Sequence, residues 1–132
     1  DSFDVNTMPM DHIESSIGFR VAVPDGTSLV YSGDTDYCEN LVELSRNTDL
    51  LICEAAFPDE KKAKGHLTPS LAGKIATEAK VKTFILTHFY PECESIDIEA
   101  QCRRTYKGDL ILAEDLMPIE LSRKGVSKRI PA

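Results

Sequence analysis

The sequence predicts an α/β fold with a mixed β-sheet and flanking helices. Three observations carry that expectation. Short apolar runs of strand length alternate with segments of helical period. A Pro24-Asp25-Gly26 turn joins two early strand-like runs into a hairpin, so the sheet is mixed rather than purely parallel. At 132 residues and 42% hydrophobic content, the chain is expected to form one domain with its own core.

The elements follow in order. Residues 1–10 show no clear period and read as an extended lead-in, with Met8 and Met10 as packing residues. Residues 17–23 (I-G-F-R-V-A-V) and 28–32 read as the hairpin strands. The apolar run Leu29, Val30, Tyr31 stops at Ser32-Gly33-Asp34-Thr35, the pattern of a buried strand whose carboxyl end delivers an acid into a cleft. Gly33 permits the tight bend that leaves Asp34 at the rim. Leu41, Val42 and Leu44 predict a helix within 38–47, and 50–54 (L-L-I-C-E) a buried strand. Residues 55–65 read as a loop, with the charged stretch 59–64 solvated. Thr68 is the expected N-cap of the next helix, with Pro69 at its first position. Leu71, Ala72, Ile75, Ala76 and Ala79 form its inner face. Residues 81–87 read as a strand ending at His88, 96–106 as a helix, and 109–113 and 118–121 as short strands. The weakly patterned basic tail, 123–132, is expected to fray.

Composition excludes several roles. A net charge of −7 disfavours a broad electrostatic footprint for nucleic acid. No apolar run approaches the roughly 20 residues that span a bilayer, and no signal peptide opens the sequence. The four cysteines (Cys38, Cys53, Cys93, Cys102) contain no CxxC pair and read as reduced thiols of a cytoplasmic protein. The first residue is not Met, which points to a processed chain or a fragment.

The chemistry-bearing residues are few. There are three histidines, His12, His66 and His88, and each sits beside a strand or turn signal. They are expected to converge on Asp34, because α/β folds place their sites at the carboxyl ends of strands. A carboxylate with neutral imidazoles suits Zn²⁺, Mn²⁺ or Fe, and an Asp can bridge two cations with its two oxygens. Two other readings fit parts of the pattern. Asp34-Thr35-Asp36 faintly resembles the D-x-D of aspartyl phosphatases, although Ser32-Gly33 interrupts the apolar strand such a motif wants. A binding module whose histidines serve the core is the non-catalytic alternative.

Five short motifs in one order also carry a family resemblance. A His precedes a G-F-R strand; S-G-D-T, C-E-A-A-F, G-H-L-T and L-T-H follow. Over about residues 10–115 the chain resembles the C-terminal half of the metallo-β-lactamase αββα sandwich, and its ribonuclease Z-like branch in particular. The resemblance implies a hydrolase with two divalent ions, Zn²⁺ first and Mn²⁺ or Fe next, cleaving a phosphodiester with water activated at the metals. It implies His12, Asp34 and His88 as metal ligands, with Asp34 the bridge, and His66 as proton donor to the leaving oxygen. It places Glu54 at the acidic strand-end position, in catalysis or orienting His66. Thr35, Thr68 and Thr87 become caps and supports. Phe57-Pro58 and Phe89-Tyr90-Pro91 are candidates for lining the substrate pocket. A small-molecule or nucleotide/RNA phosphodiester is the expected substrate, and the acidic balance favours a small one over tRNA. Other esters, thioesters and sulfate esters hydrolysed on the same fold are the alternative.

One departure shapes the domain expectation. The family's H-x-H-x-D-H motif is absent from the sequence, and no spare histidines could build it. The chain therefore reads as a single unit over 1–132 that forms the C-terminal half of a longer enzyme. Its N-terminal half is the expected partner, and a homodimer is a further option. By itself the chain is expected to bind metal weakly and to lack activity.

Overall fold

In a computed structural model, which describes residues 2–129, the chain builds a six-stranded mixed sheet and a two-stranded hairpin. The strands are β1 (Asp4–Pro9), β2 (Ile17–Ala22), β3 (Ser28–Tyr31), β4 (Leu50–Glu54), β5 (Thr83–Thr87) and β6 (Asp109–Leu112), then β7 (Ile119–Ser122) and β8 (Gly125–Lys128). The helices are α1 (Glu39–Ser45), α2 (Pro69–Glu78) and α3 (Ile98–Arg103). The six strands lie side by side in chain order. β1, β2 and β3 are antiparallel, and β3 to β6 run parallel.

Local chemistry sets the element ends. At the β2–β3 turn, Asp25 accepts the Thr27 amide and Gly26 adopts a φ of 90°. Thr68 Oγ1 accepts the Leu71 amide at the start of α2, as the sequence predicts. Asp97 caps α3 through the Ala100 amide, which moves that helix start inward from residue 96. The charged stretch after residue 58 holds a short 3₁₀ turn, Asp59–Lys61.

Two expectations are corrected. Residues 4–9 are an edge strand paired with β2, with Val5 opposite Val21 and Thr7 opposite Phe19. They show no period because an edge strand is exposed on most of its sides; only Met8 is partly buried, and Met10 beyond it is buried in the core. The basic tail is the second correction, because 125–128 pairs with β7 as a hairpin that turns at Arg123-Lys124, with Gly125 just after the turn at a φ of 112°. The end of the tail, 130–132, lies outside the described residues.

The pleat divides the sheet into two unlike faces. On one, Val30, Leu51 and Phe84 stand in one cross-strand row and are fully buried with Leu41, Ile75 and Cys102 of the three helices. On the other, the row Phe19, Tyr31 and Ile52 meets no helix of the core cluster. Burying Cys53 pushes its thiol well above the ordinary range, and burial takes Cys102 up to about 12. Among the described residues all four cysteines are free.

Candidate functional site

The site forms where β3, β4 and β5 end. Asp34 is delivered by Gly33, whose φ of 60° strains any side chain and where a Cβ would crowd the Ile17 carbonyl oxygen at 3.0 Å. His88 follows β5 directly and holds a φ of 62°, a left-handed conformation rare for any residue with a side chain. Its Nε2 stands 3.4 Å from Asp34 Oδ1. His12, in the turn between β1 and β2, places Nε2 3.9 Å from Asp34 Oδ2. The bond from His12 Nδ1 to the Gly65 carbonyl, at 2.9 Å, fixes its tautomer, since a carbonyl can only accept. Nε2 is then the lone-pair nitrogen facing Asp34.

His66 is held differently. Its Nδ1 donates to Glu54 Oε1 at 2.8 Å. Glu54 ends β4 and is 1% exposed. A buried carboxylate needs donors, and Glu54 has four. Besides His66 it accepts the amides of Thr35 at 2.9 Å, Ala56 at 3.1 Å and Leu67 at 3.0 Å. These bonds tie the ends of β3 and β4 to the loop before α2. The His66 side chain is 13% exposed against 37% for His88, so His66 sits behind the rim. One ligand atom each of Asp34, His66 and His88 lie within 4.8 Å of one another.

The structure thus brings together all five residues singled out by the sequence: His12, Asp34, Glu54, His66 and His88. The Asp34 carboxylate with the His12 and His88 imidazoles beside it, the outer nitrogen of His12 already engaged, is a donor set that fits a divalent cation. Thr35 and Thr68 act as supports: Thr35 Oγ1 accepts the Asp11 amide beside His12, and Thr68 caps α2. Phe57 packs edge-on to both His66 and Tyr90, with ring centroids 5.7 and 4.8 Å away.

Two positions escaped the sequence reading. Asp36 accepts Lys62 Nζ at 2.7 Å, the Gly65 amide at 3.0 Å and the Tyr37 amide at 2.8 Å. Burial alone would raise its carboxyl, but these bonds outweigh it and hold the group below the usual carboxylate value. Gly65 adopts a φ of 83°, and a Cβ there would lie 2.9 Å from His12 Nδ1. Asp36 therefore pins the loop whose glycine carries the His12 ring. The second acid of D-T-D and the glycine of G-H were the available signals.

Comparison with known proteins follows the same lines. A family model described as a β-lactamase superfamily domain matches residues 3–89. The chain belongs to the metallo-β-lactamase superfamily. An uncharacterized protein of Mycobacterium leprae is 39% identical over 100 residues, covering 74% of this chain and 35% of that protein. Ribonuclease Z of Nocardia farcinica is 35% identical over 101 residues, covering 73% of this chain and 33% of the enzyme. The chain thus spans about a third of the length of these superfamily relatives. Among solved structures, the short form of human tRNase Z is 30% identical with a TM-score of 0.67, over 87% of this chain and 42% of that one. The metallo-β-lactamase fold protein YhfI of Bacillus subtilis shares the fold at a TM-score of 0.78 and 24% identity, over 85% of this chain and 47% of that one. Membership in the superfamily places the chain in a hydrolase family whose fold implies divalent metal binding. Among the described residues no helix is long and apolar enough to cross a membrane.

Proposed function

We propose that this chain is the C-terminal half of a metal-dependent hydrolase, and that the whole enzyme cleaves phosphodiesters. The observation that carries the reading is the pairing of two kinds of group at one rim. His88 Nε2 and His12 Nε2 stand 3.4 and 3.9 Å from the two oxygens of Asp34, while His66, with a ligand atom within 4.8 Å of those of Asp34 and His88, is held on its other side by the buried Glu54. The first set suits cation binding and the second suits proton transfer.

In this reading Asp34, His12 and His88 would hold the divalent ions, which when bound would supply Lewis acidity and a nucleophile at neutral pH. Glu54 keeps Nδ1–H of His66 occupied, so a doubly protonated His66 would deliver its Nε2 proton to the leaving alkoxide and be left as the neutral Nδ1–H tautomer. Donation of Nδ1–H to the Gly65 carbonyl turns His12 so that Nε2 faces Asp34. Asp36 and Lys62 keep that loop seated. The bare face of the sheet supports the half-molecule reading. A second sheet docked on Phe19, Tyr31 and Ile17, each 38–46% exposed, would bury them as a sandwich requires.

The test is a titration of the chain with Zn²⁺ or Mn²⁺, followed at the histidine rings by NMR. His12 and His88 are expected to respond, and Asp34→Ala and His88→Ala to lose the response. His66→Ala is expected to keep metal binding while the enzyme containing this half loses turnover by about 10²-fold or more. An Asp34→Ala variant that binds a full complement of metal would overturn the assignment.

A further inference from the structure

We propose that the cavity beside Tyr90 binds the non-reacting end of the substrate, and that this end is an apolar group bearing a positive charge, of the substituted-alkylammonium kind. The cavity is about 540 Å³ and lies at the carboxyl ends of β5 and β6, between the loop after His88 and the start of α3. Phe89, Ile96, Leu112 and Ala113 give it apolar walls. Glu94, Asp97, Glu99 and Glu114 give it an acidic rim, and no lysine or arginine lines it. Tyr90 belongs to both places. It lines the cavity, and its ring centroid is 5.2 Å from that of His88 and 5.7 Å from that of His66. A ligand with one end at the histidines has this groove for the other.

The charges decide which ligand fits. Glu99 is partly offset by Arg103 at 3.7 Å, and Asp97 uses Oδ1 to cap α3. Glu94 and Glu114 are exposed. A net negative field remains over an apolar floor, in a chain that itself carries −7. A polyanion such as RNA meets repulsion there. A neutral group gains apolar burial alone. A cation with an apolar surface gains both burial and charge complementarity, and the aromatic residues Phe89 and Tyr90 in the lining favour it over an anion. The ligand is called a substrate on the strength of the hydrolase reading above; its binding to the groove needs no metal.

The experiment titrates the metal-free form of the whole enzyme that contains this half with phenyltrimethylammonium, with benzenesulfonate as an anion of similar size, and with a uridine trinucleotide. Backbone amide shifts are the readout. Phenyltrimethylammonium is expected to move Phe89, Tyr90, Ile96 and Leu112 with a dissociation constant of about 1 mM. Benzenesulfonate is expected to bind at least about 10-fold more weakly, and the Glu94→Lys/Glu114→Lys double variant to reverse that order. The proposal falls if those amides stay still with phenyltrimethylammonium, if benzenesulfonate or the trinucleotide binds there as tightly, or if the double variant keeps the original order. A parallel Mn²⁺ titration watches Asp34 and His88. No response there with the groove still occupied would sink the assignment of Asp34 and His88 as metal ligands alone; the opposite pattern would sink the groove alone.

Discussion

On the helix-covered face of the sheet, Val30, Leu51 and Phe84 are wholly buried. On the other face of β2 and β3, Phe19 is 38% and Tyr31 46% exposed. The residue types are alike, and several strands carry both sets. What differs is the layer above them. Three helices close one face, whereas Val5, Ile17, Phe19 and Tyr31 stand open on the other, with Phe3 just before β1 also exposed. Apolar side chains at strand period specify that a face will be covered, but not by what. A contiguous apolar surface of this kind marks an interaction site.

The comparison can be broken most sharply by truncation. Phe84→Ala is expected to cost about 3–5 kcal/mol in urea unfolding of the chain, by transfer and cavity terms together. Phe19→Ala should cost less than about 1 kcal/mol in the same chain. In a longer form with the second sheet in place, Phe19→Ala should move toward the larger value. Equal costs in the chain alone would show that the open face is already covered.

Glu54 lies where the two faces meet the site, and it gives the next effect. Glu54→Gln keeps the shape but cannot accept all four donors. A loss of about 2–3 kcal/mol is expected. The His66 ring nitrogens should also change their NMR signature, which a purely structural role for the carboxylate would not produce. An unchanged His66 spectrum would remove Glu54 from the acid–base pair.

The smallest effect concerns acid. Asp59 ties the loop to the helical layer through the Ser70 amide and hydroxyl and through Arg104 Nη1 at 2.9 Å. Burial would raise its carboxyl, but these partners outweigh burial and hold it below 3.8. Its folded value being depressed, its contribution is present above about pH 4 and is lost as pH falls through the folded value. Asp59→Asn should therefore flatten the fall in stability below about pH 4, measured by denaturant midpoints. A slope identical to the parent's would assign acid sensitivity to other carboxylates, Asp36 and Asp49 first.

Much of this was legible before any coordinates. The Pro24-Asp25-Gly26 hairpin, the Thr68 cap and the strand-ending motifs around Asp34 and His88 are local chemistry, and local chemistry is written in sequence. β1 was not legible, because Asp4–Pro9 pairs along an edge and buries little. The β7–β8 hairpin was hidden by its charged residues, although Gly125 marks its turn. In the site, residue types announced Asp34 and the histidines, whereas Asp36 and Gly65 act through contacts 26–53 residues distant, such as the Gly65–His12 bond, which no local pattern records.

The backbone at His88 has a consequence for engineering. A left-handed residue with a side chain carries a local penalty of about 1–2 kcal/mol that glycine escapes. His88→Gly should therefore outlast His88→Ala on heating. A campaign that selected this chain for thermal endurance alone would drift toward discarding the imidazole, gaining robustness as it erased the rim.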